Sequence, residues 1–434
     1  MEKILREYKK IPPLLKLFLI LILLIRIFLF TQPSFKIDMN DWQAWATRLV
    51  DVGPLNFYTS NFFADYLPFY YFLLWVLSEI FIVIFGKAAI FSITFEIYIK
   101  VISNIFDILT AYTIFVIINK YSKKWATVGS LLYLVNPSTV FNSSVWGQID
   151  AIPTFLFIYS LYQLEERRNI KQWSIANTLS FLIKPLNLSA FPIILIRLIK
   201  SFSAKKNVSA LLLTFLVFFL ISVPFFPTDP IFGGFKHFLS AVNTYPYTSI
   251  NAYNFWALFG WWKPDTTMWF NLPYHTWSYI LYVFVLCIIL VPYLRKKVRI
   301  GTQLDYFASA LSSFGFFLFL TRIHERHLFP VFALLIISAC ILKSRIIIAS
   351  YIILTIVNFI NLFYSYYYYN VIYNNPIASK NILFDISSSY KLIFSIISLT
   401  VFGIMIVVYF KNQRLFIKNK RYVKSNHIKS KTPN

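Results

Sequence analysis

Negative charge is what this sequence has least of: 17 of 434 residues are acidic, against 41 lysines and arginines. Charged residues of both signs make up only 13% of the chain, about half the share a water-soluble globular domain carries. That shortage excludes water as the main solvent of the fold. Cysteine is scarce as well, with Cys287 and Cys340 alone, each inside an apolar stretch. Such placement suits packed thiols and excludes a disulfide framework or a cysteine metal site. Self-similarity between the two halves is also missing, which removes the usual sequence sign of a repeat-built transporter.

What is present in quantity is apolar surface: 58% hydrophobic residues, 20% aromatic residues and a mean hydropathy of +0.64. Each bilayer crossing takes about 20 mostly apolar residues, so the chain has room for about a dozen. Runs that fit lie at 13–30, 95–119, 125–142, 150–164, 172–183, 186–199, 208–226, 273–293, 303–320, 328–342, 346–363 and 391–410. The fold class is therefore all-α integral membrane, with about 12 transmembrane helices (roughly 11–14). The run 11–30 follows a basic patch but is too long for a signal-peptide core and lacks a small-residue cleavage site after it, so it reads as a retained first helix. The net charge of +24 does not point to nucleic acid, because the basic residues sit in short clusters between apolar runs.

Those clusters set the orientation. They are Lys3, Arg6, Lys9 and Lys10, then 120–124, 165–171, 200–206, 295–299 and 343–345, then the tail 411–434. With the runs counted as above, all fall on one side, which makes both termini cytoplasmic and the basic ends partners for anionic membrane lipids. Residues 1–410 then form one polytopic domain of the plasma membrane, with outer loops at 31–92 and 227–272. The run 68–85 is the awkward segment, since a single extra crossing there would invert every later loop. Parity favours a helix lying in the outer leaflet without crossing. A helix break is expected at Lys184-Pro185, where the lysine must face protein or water.

On this topology the remaining polar residues collect on the outer face. The first outer loop holds Asp38, Asp41, Asp51 and Asp65 beside Trp42, Trp45 and Tyr66. Asp41 and Asp51 read as solvated or capping residues. Asp38 and Asp65 bracket the loop and converge at the membrane surface, where a carboxylate suits a general base that deprotonates an attacking hydroxyl. The segment NPSTVFNSSVWGQID brings Trp146, Gln148 and Asp150 to a helix end on the same side. There, belt tryptophan and helix cap stand as alternative readings. The segment TRIHERHLFP packs Arg322, His324, Glu325, Arg326 and His327 into six positions. Its histidines are three apart in a loop, not four apart on a helix around a glutamate, so zinc is a poor match. Arginine forks and imidazoles suit a phosphate, with Lys184 adding to the same field. Asn251, Tyr253 and Asn254, followed by tryptophans, suit either a sugar ring or a helix resting among headgroups.

In order, DMNDWQAWA, FADYLP, NPSTVFNSSVWGQID, LIKP, NAYNFWALFG and RIHERHLFP resemble the GT-C superfamily of polyprenyl-phosphate-dependent glycosyltransferases over residues 30–335. The likeness is to the mannosyltransferase-like and glycosyltransferase 87-like branches. It implies a first outer loop of amphipathic helices with the catalytic aspartate at Asp38, and a donor sugar, most simply mannose, carried on a polyprenyl or dolichyl phosphate. It also implies inversion at the anomeric carbon and a glycan, lipid or protein acceptor. The pattern departs from the family at Leu67, where a second proline is usual, and at His327, where a tyrosine is usual. The expected roles are Asp38 and Asp65 in catalysis, and Arg322, His324, Arg326 and Lys184 on the donor phosphate. Trp146, Gln148, Asp150, Asn251, Tyr253, Asn254, Glu325 and His327 would surround the substrate, with no metal and no other cofactor. A lipid-linked sugar flippase or secondary transporter, and a non-catalytic subunit of a transferase complex, are the alternatives. A topology reporter fused after Lys87 tests the parity argument: it should report the outer side, and a cytoplasmic signal would mean that 68–85 crosses.

Overall fold

The computed structural model describes residues 13–59, 62–294, 301–373, 375 and 381–412. The basic clusters of the first twelve residues, of 295–299 and of the tail past 412 lie outside the described residues. The described chain is almost entirely α-helical, with two short two-stranded ribbons. Among the described residues, seven helical segments are long and apolar enough to cross a bilayer: Pro68–Phe85, Ile93–Asn119, Ala204–Ser222, Tyr274–Leu294, Glu325–Leu342, Arg345–Ile372 and Lys391–Asn412. The protein is an all-α, membrane-embedded protein.

Helix α1 (Pro13–Phe30) leads into α2 (Lys36–Val52) and α3 (Pro68–Phe85). These two pack side by side although their chemistry is opposite: α2 carries Asp38, Asp41, Arg48 and Asp51, while α3 is apolar with Glu79 as its one charge. Their far ends are tied by an exposed Lys87–Asp51 ion pair. The chain then enters α4 (Ile93–Asn119), whose N-terminus is capped by Ser92. Glu96 in its first turn accepts from the Ser34 N–H at 3.2 Å, and Lys100 donates to the carbonyls of Phe30 and Gln32. α4 therefore begins level with the end of α1, and α2 and α3 leave from and return to the same end of the bundle.

Helices α5 (Lys123–Leu134) and α7 (Ala151–Glu165) pack on α4, and α8 (Ile170–Phe181) packs on α7, so that α4–α5 and α7–α8 are helical hairpins. The run 125–142 is not one helix. Pro137 cannot donate to the preceding turn, so α5 stops at Leu134, and a one-turn α6 (Pro137–Val140) passes into a π-helical turn over Phe141–Trp146. Proline has the same effect at Pro185, as expected from sequence: α8 ends at Phe181, a 3-10 turn covers Pro185–Ala190, and α9 (Phe191–Ser201) follows. α10 (Ala204–Ser222) stands at the periphery with its apolar side chains outward.

After α11 (Pro230–Val242), the loop 243–273 pairs β1 (Ser249–Ile250) in parallel with β4 (Ile323–His324). The second ribbon joins β2 (Met268–Trp269) to β3 (Leu272–Pro273). Next come α12 (Tyr274–Leu294), α13 (Thr302–Phe319) and α14 (Phe329–Leu342). α14 is the axis of the core: every residue from Phe329 to Ile341 is buried. Small residues such as Ser309, Ser312, Ser313 and Gly315 on α13 let backbones approach closely. α15 (Arg345–Tyr367), α16 (Ile382–Ser389) and α17 (Lys391–Asn412) close the bundle. Contacts between loops sort the two ends. Lys120 pairs with Glu166, Arg168 reaches the Ser201 carbonyl, Lys200 reaches the Tyr293 carbonyl, and Thr302 reaches the Glu165 carbonyl. The described basic loops at 120–124, 165–171 and 200–206 thus share one end.

Several ionisable groups inside the bundle are paired. Arg26 of α1 forms an ion pair with Asp107 of α4 at 2.8 Å and also donates to the Asn104 side chain and the Leu134 carbonyl. Both charged groups are almost wholly inaccessible. Removing one partner leaves the other charged and buried, which costs about 3–5 kcal/mol, whereas replacing both with apolar residues of similar volume is close to neutral. Arg26→Met should therefore lower the melting temperature of the detergent-solubilised protein far more than Arg26→Met combined with Asp107→Leu. Equal losses would mean that the pair acts only through its volume.

Candidate functional site

At the end opposite the basic loops, four chain segments converge. Asp38 sits in the first turn of α2, directly after the anchored end of α1. Its Oδ2 accepts from Trp146 Nε1 at 2.8 Å and from Gln148 Nε2 at 2.6 Å. Both bonds fall on one oxygen, so the carboxylate's orientation is fixed while Oδ1 is left open to an incoming group. Trp146 ends the π-helical turn, fully buried and stacked on Phe35 at 4.2 Å. Gly147 makes the following bend with φ of 81°, and a side chain there would press on Met39 and Lys100. Only glycine takes this conformation without strain, and the bend turns Gln148 back toward Asp38.

Gln148 is the hub of the next layer. Its Oε1 accepts from Tyr66 Oη and from Lys184 Nζ, each at 3.1 Å. Lys184 forms a buried ion pair with Asp150, whose other oxygen accepts from Asn142 at 3.2 Å. Asp150 stands at the N-cap position of α7 but makes no capping bond with its side chain; it serves as the lysine's counter-ion. The Lys184 ammonium also lies 5.0 Å from the centre of the Tyr66 ring. The break at Pro185 frees Lys184 from helical backbone and lets it reach into this cluster.

Arg326 lies over the Trp146 ring at 5.9 Å and contacts Glu325 and His324, each at 3.3 Å. His327 Nδ1 accepts from the His324 N–H at 3.3 Å, so the two imidazoles brace one turn. Burial first, and the Arg326 charge second, push the His324 ring well below its ordinary range, which makes it neutral. Arg322 pairs with the fully buried Asp265 at 2.7 Å. Each predicted phosphate-binding cation therefore already holds a carboxylate partner.

A cavity of about 330 Å³ opens beside this cluster. Its polar end is formed by Asp65, Lys184, Arg322, His324 and Arg326, and its apolar wall by Leu186, Leu188, Phe238, Val242, Phe316 and Leu320. Asp65 Oδ1 is buried without a hydrogen-bond partner. Burial raises the Asp65 carboxyl to about 6, against the lowering effect of Arg326 and with further upward pressure from Asp38. Asp41 is half-buried, not solvated: burial, then Asp38 and Asp65, push it up to about 7. Asp51 is exposed and paired with Lys87.

Of the residues singled out from sequence, Asp38, Trp146, Gln148, Asp150, Lys184, His324, Glu325, Arg326 and His327 form one neighbourhood, with Asp65 on the cavity wall. Asn251, Tyr253 and Asn254 do other work. Asn251 (φ 59°) accepts from Trp262 Nε1 and, through its carbonyl, from Asn361. Tyr253 is stacked between Trp261 and Phe394 and hydrogen-bonded to Ser387. Asn254 caps the turn Phe255–Phe259. These side chains fasten the loop 243–273 to α15, α16 and α17. Sequence reasoning passed over Asn142, Tyr66 as a hydrogen-bond donor, and Asp265. Asp265 carried a signal, a lone acid beside a run of tryptophans, whereas the role of Asn142 depends on a π-helical turn that periodicity does not reveal.

No family model and no curated protein matches this chain.

A carboxyl held above its ordinary value stabilises the fold while protonated, and that contribution is lost as pH rises through about 6 for Asp65. Asp65→Asn stays neutral throughout. It should therefore raise the melting temperature at pH 8 relative to the parent, by a margin that shrinks as pH falls from about 6 toward 4. A variant that is less stable at pH 8 would show that the ionised carboxylate is required by the fold.

Proposed function

We propose that the protein is a membrane glycosyltransferase of the GT-C type, moving a sugar from a polyprenyl-phosphate donor to an acceptor hydroxyl at the outer face of the plasma membrane. The observation that carries this reading is the cavity at the site, which joins cationic side chains and the buried Asp65 carboxyl at one end to an apolar wall at the other. A substrate with a phosphate between a hydrocarbon chain and a polar sugar has that same distribution of chemistry. The ordered motifs of the sequence analysis point the same way.

In this reading Asp38 is the general base. Trp146 and Gln148 hold its Oδ2, so Oδ1 receives the proton as the acceptor oxygen bonds to the anomeric carbon from the face opposite the phosphate. The bond from that carbon to the phosphate oxygen breaks with its electron pair on the lipid phosphate. Arg326 and Lys184, with Arg322 at the cavity wall, stabilise the departing charge. Asp65, on the cavity wall and raised toward neutrality, donates or accepts a hydrogen bond to the sugar or acceptor. Asp150 and Glu325 hold Lys184 and Arg326 in place, so the two cationic side chains enter the reaction already oriented. Mannose is the sugar that the resemblance favours.

The same proposal assigns twelve crossings and places α3 in the outer leaflet beside α2. Support comes from the polar face of α2, the exposed Lys87–Asp51 pair at the far ends of both helices, and the return of α4 to the level of Phe30. The test is transfer of labelled sugar from polyprenyl-phosphate-mannose and polyprenyl-phosphate-glucose to cell-envelope acceptors by reconstituted protein. Asp38→Asn should lower turnover by about 10²–10⁴-fold with donor binding kept. Turnover unaffected by Asp38→Asn would move the base elsewhere. Failure to bind either donor would favour a transporter or a non-catalytic subunit.

A further inference from the structure

The end of the bundle away from this site carries a second cavity, of about 420 Å³, lined by Arg167, Arg168, Asn169, Ile170, Lys171, Lys206 and Ser209. It contains four cations and no carboxylate. The two nearest acids are engaged elsewhere: Glu166 with Lys120 at 2.8 Å, and Glu165 with Arg197 at 2.9 Å. Its place in the fold is fixed by α7, which starts at the site residue Asp150 and is 15 residues long, so the turn at 166–169 lies roughly 22 Å away along that helix. α8 then runs back to Lys184. This cavity is therefore separate from the donor site.

Two features fix where these cations sit. Arg168 takes a left-handed backbone conformation (φ 57°), and its guanidinium is steadied on the Phe202 ring at 4.8 Å while donating to the Ser201 carbonyl. Lys206 and Ser209 come from the first turns of α10, so the cavity joins two hairpins. Beyond Ser209, α10 presents Leu212, Leu216 and Leu220 at i+3, i+7 and i+11 on the same helix face, each more than half exposed, in an apolar stripe that starts at the cavity rim. A phosphate held by the four cations would thus have acyl-chain surface directly beside it. Free phosphate has no use for that stripe.

We infer that this cavity binds the phosphate headgroup of an anionic membrane phospholipid, with its acyl chains laid along α10, in the leaflet facing the basic loops. The positive-inside rule makes that the cytoplasmic leaflet. The inference is independent of the glycosyltransferase reading and stands or falls separately from it.

The test uses the full chain in nanodiscs containing either phosphatidylcholine alone or phosphatidylcholine with phosphatidylglycerol bearing a photoreactive group near its headgroup. Labelled peptides should cover 165–172 and 203–212. The label there should fall at least fivefold in the combined variant Arg168→Gln, Lys171→Gln, Lys206→Gln, and partially in Lys206→Gln alone, whose backbone is ordinary helix. Unlabelled phosphatidylglycerol should compete, and inorganic phosphate at the same concentration should not. Label confined to other segments, label unaffected by these variants, or equal competition by phosphate would overturn the assignment.

Discussion

A charge placed inside a bilayer-embedded bundle has to be neutralised by a partner, and that constraint organises this protein more than any other. The few acids of the chain are largely committed to it. Asp107 answers Arg26, Asp150 answers Lys184, Asp265 answers Arg322, Glu325 answers Arg326, and Glu165 and Asp305 share Arg197. Each pair joins elements distant in sequence or fixes a turn at the end of one. The Arg26–Asp107 pair sets the height of α1 against α4, and through Asn104 it reaches Ser143 and Ser144 in the turn that presents Trp146. The position of Asp38 follows from that height.

The candidate site is built on the same rule. Its cations are held by carboxylates before any substrate arrives, so a phosphate would meet groups already oriented and would compete with, or bridge, existing pairs. The acids left over include Asp38, Asp41 and Asp65: burial raises the carboxyls of Asp41 and Asp65, and the neighbouring Asp38 raises both further. A bundle that otherwise neutralises its charges keeps three carboxyl groups together at one end. That exception is physically costly, and a functional role accounts for it better than packing does.

Much of this was legible in the chain. Apolar runs located the helices because bilayer thickness fixes their length, and the proline at 185 located the break that frees Lys184. Clustering of Trp146, Gln148 and Asp150 with the RIHERH segment followed from placing polar residues on one side. What sequence did not disclose depended on three-dimensional pairing. Lys184 and Asp150, 34 positions apart, act as a pair because α7 and α8 form a hairpin. Asp41 looked solvated because its burial comes from neighbours that fold over α2. The amides and aromatics near 251–254 suit a sugar ring on sequence, and their pairing with Asn361, Ser387 and Phe394 was not legible there, since an irregular loop satisfies its polar groups through partners distant in the chain.

The most direct test of the account is a cryo-EM map of the Asp38→Asn variant in a nanodisc with polyprenyl-phosphate-mannose. The account predicts the phosphate within hydrogen-bonding reach of Arg326 or Lys184, the hydrocarbon chain against Leu186, Phe238 and Phe316, and the sugar directed toward residue 38. A map with the cavity empty at saturating donor, or with the phosphate bound away from these cations, would contradict it.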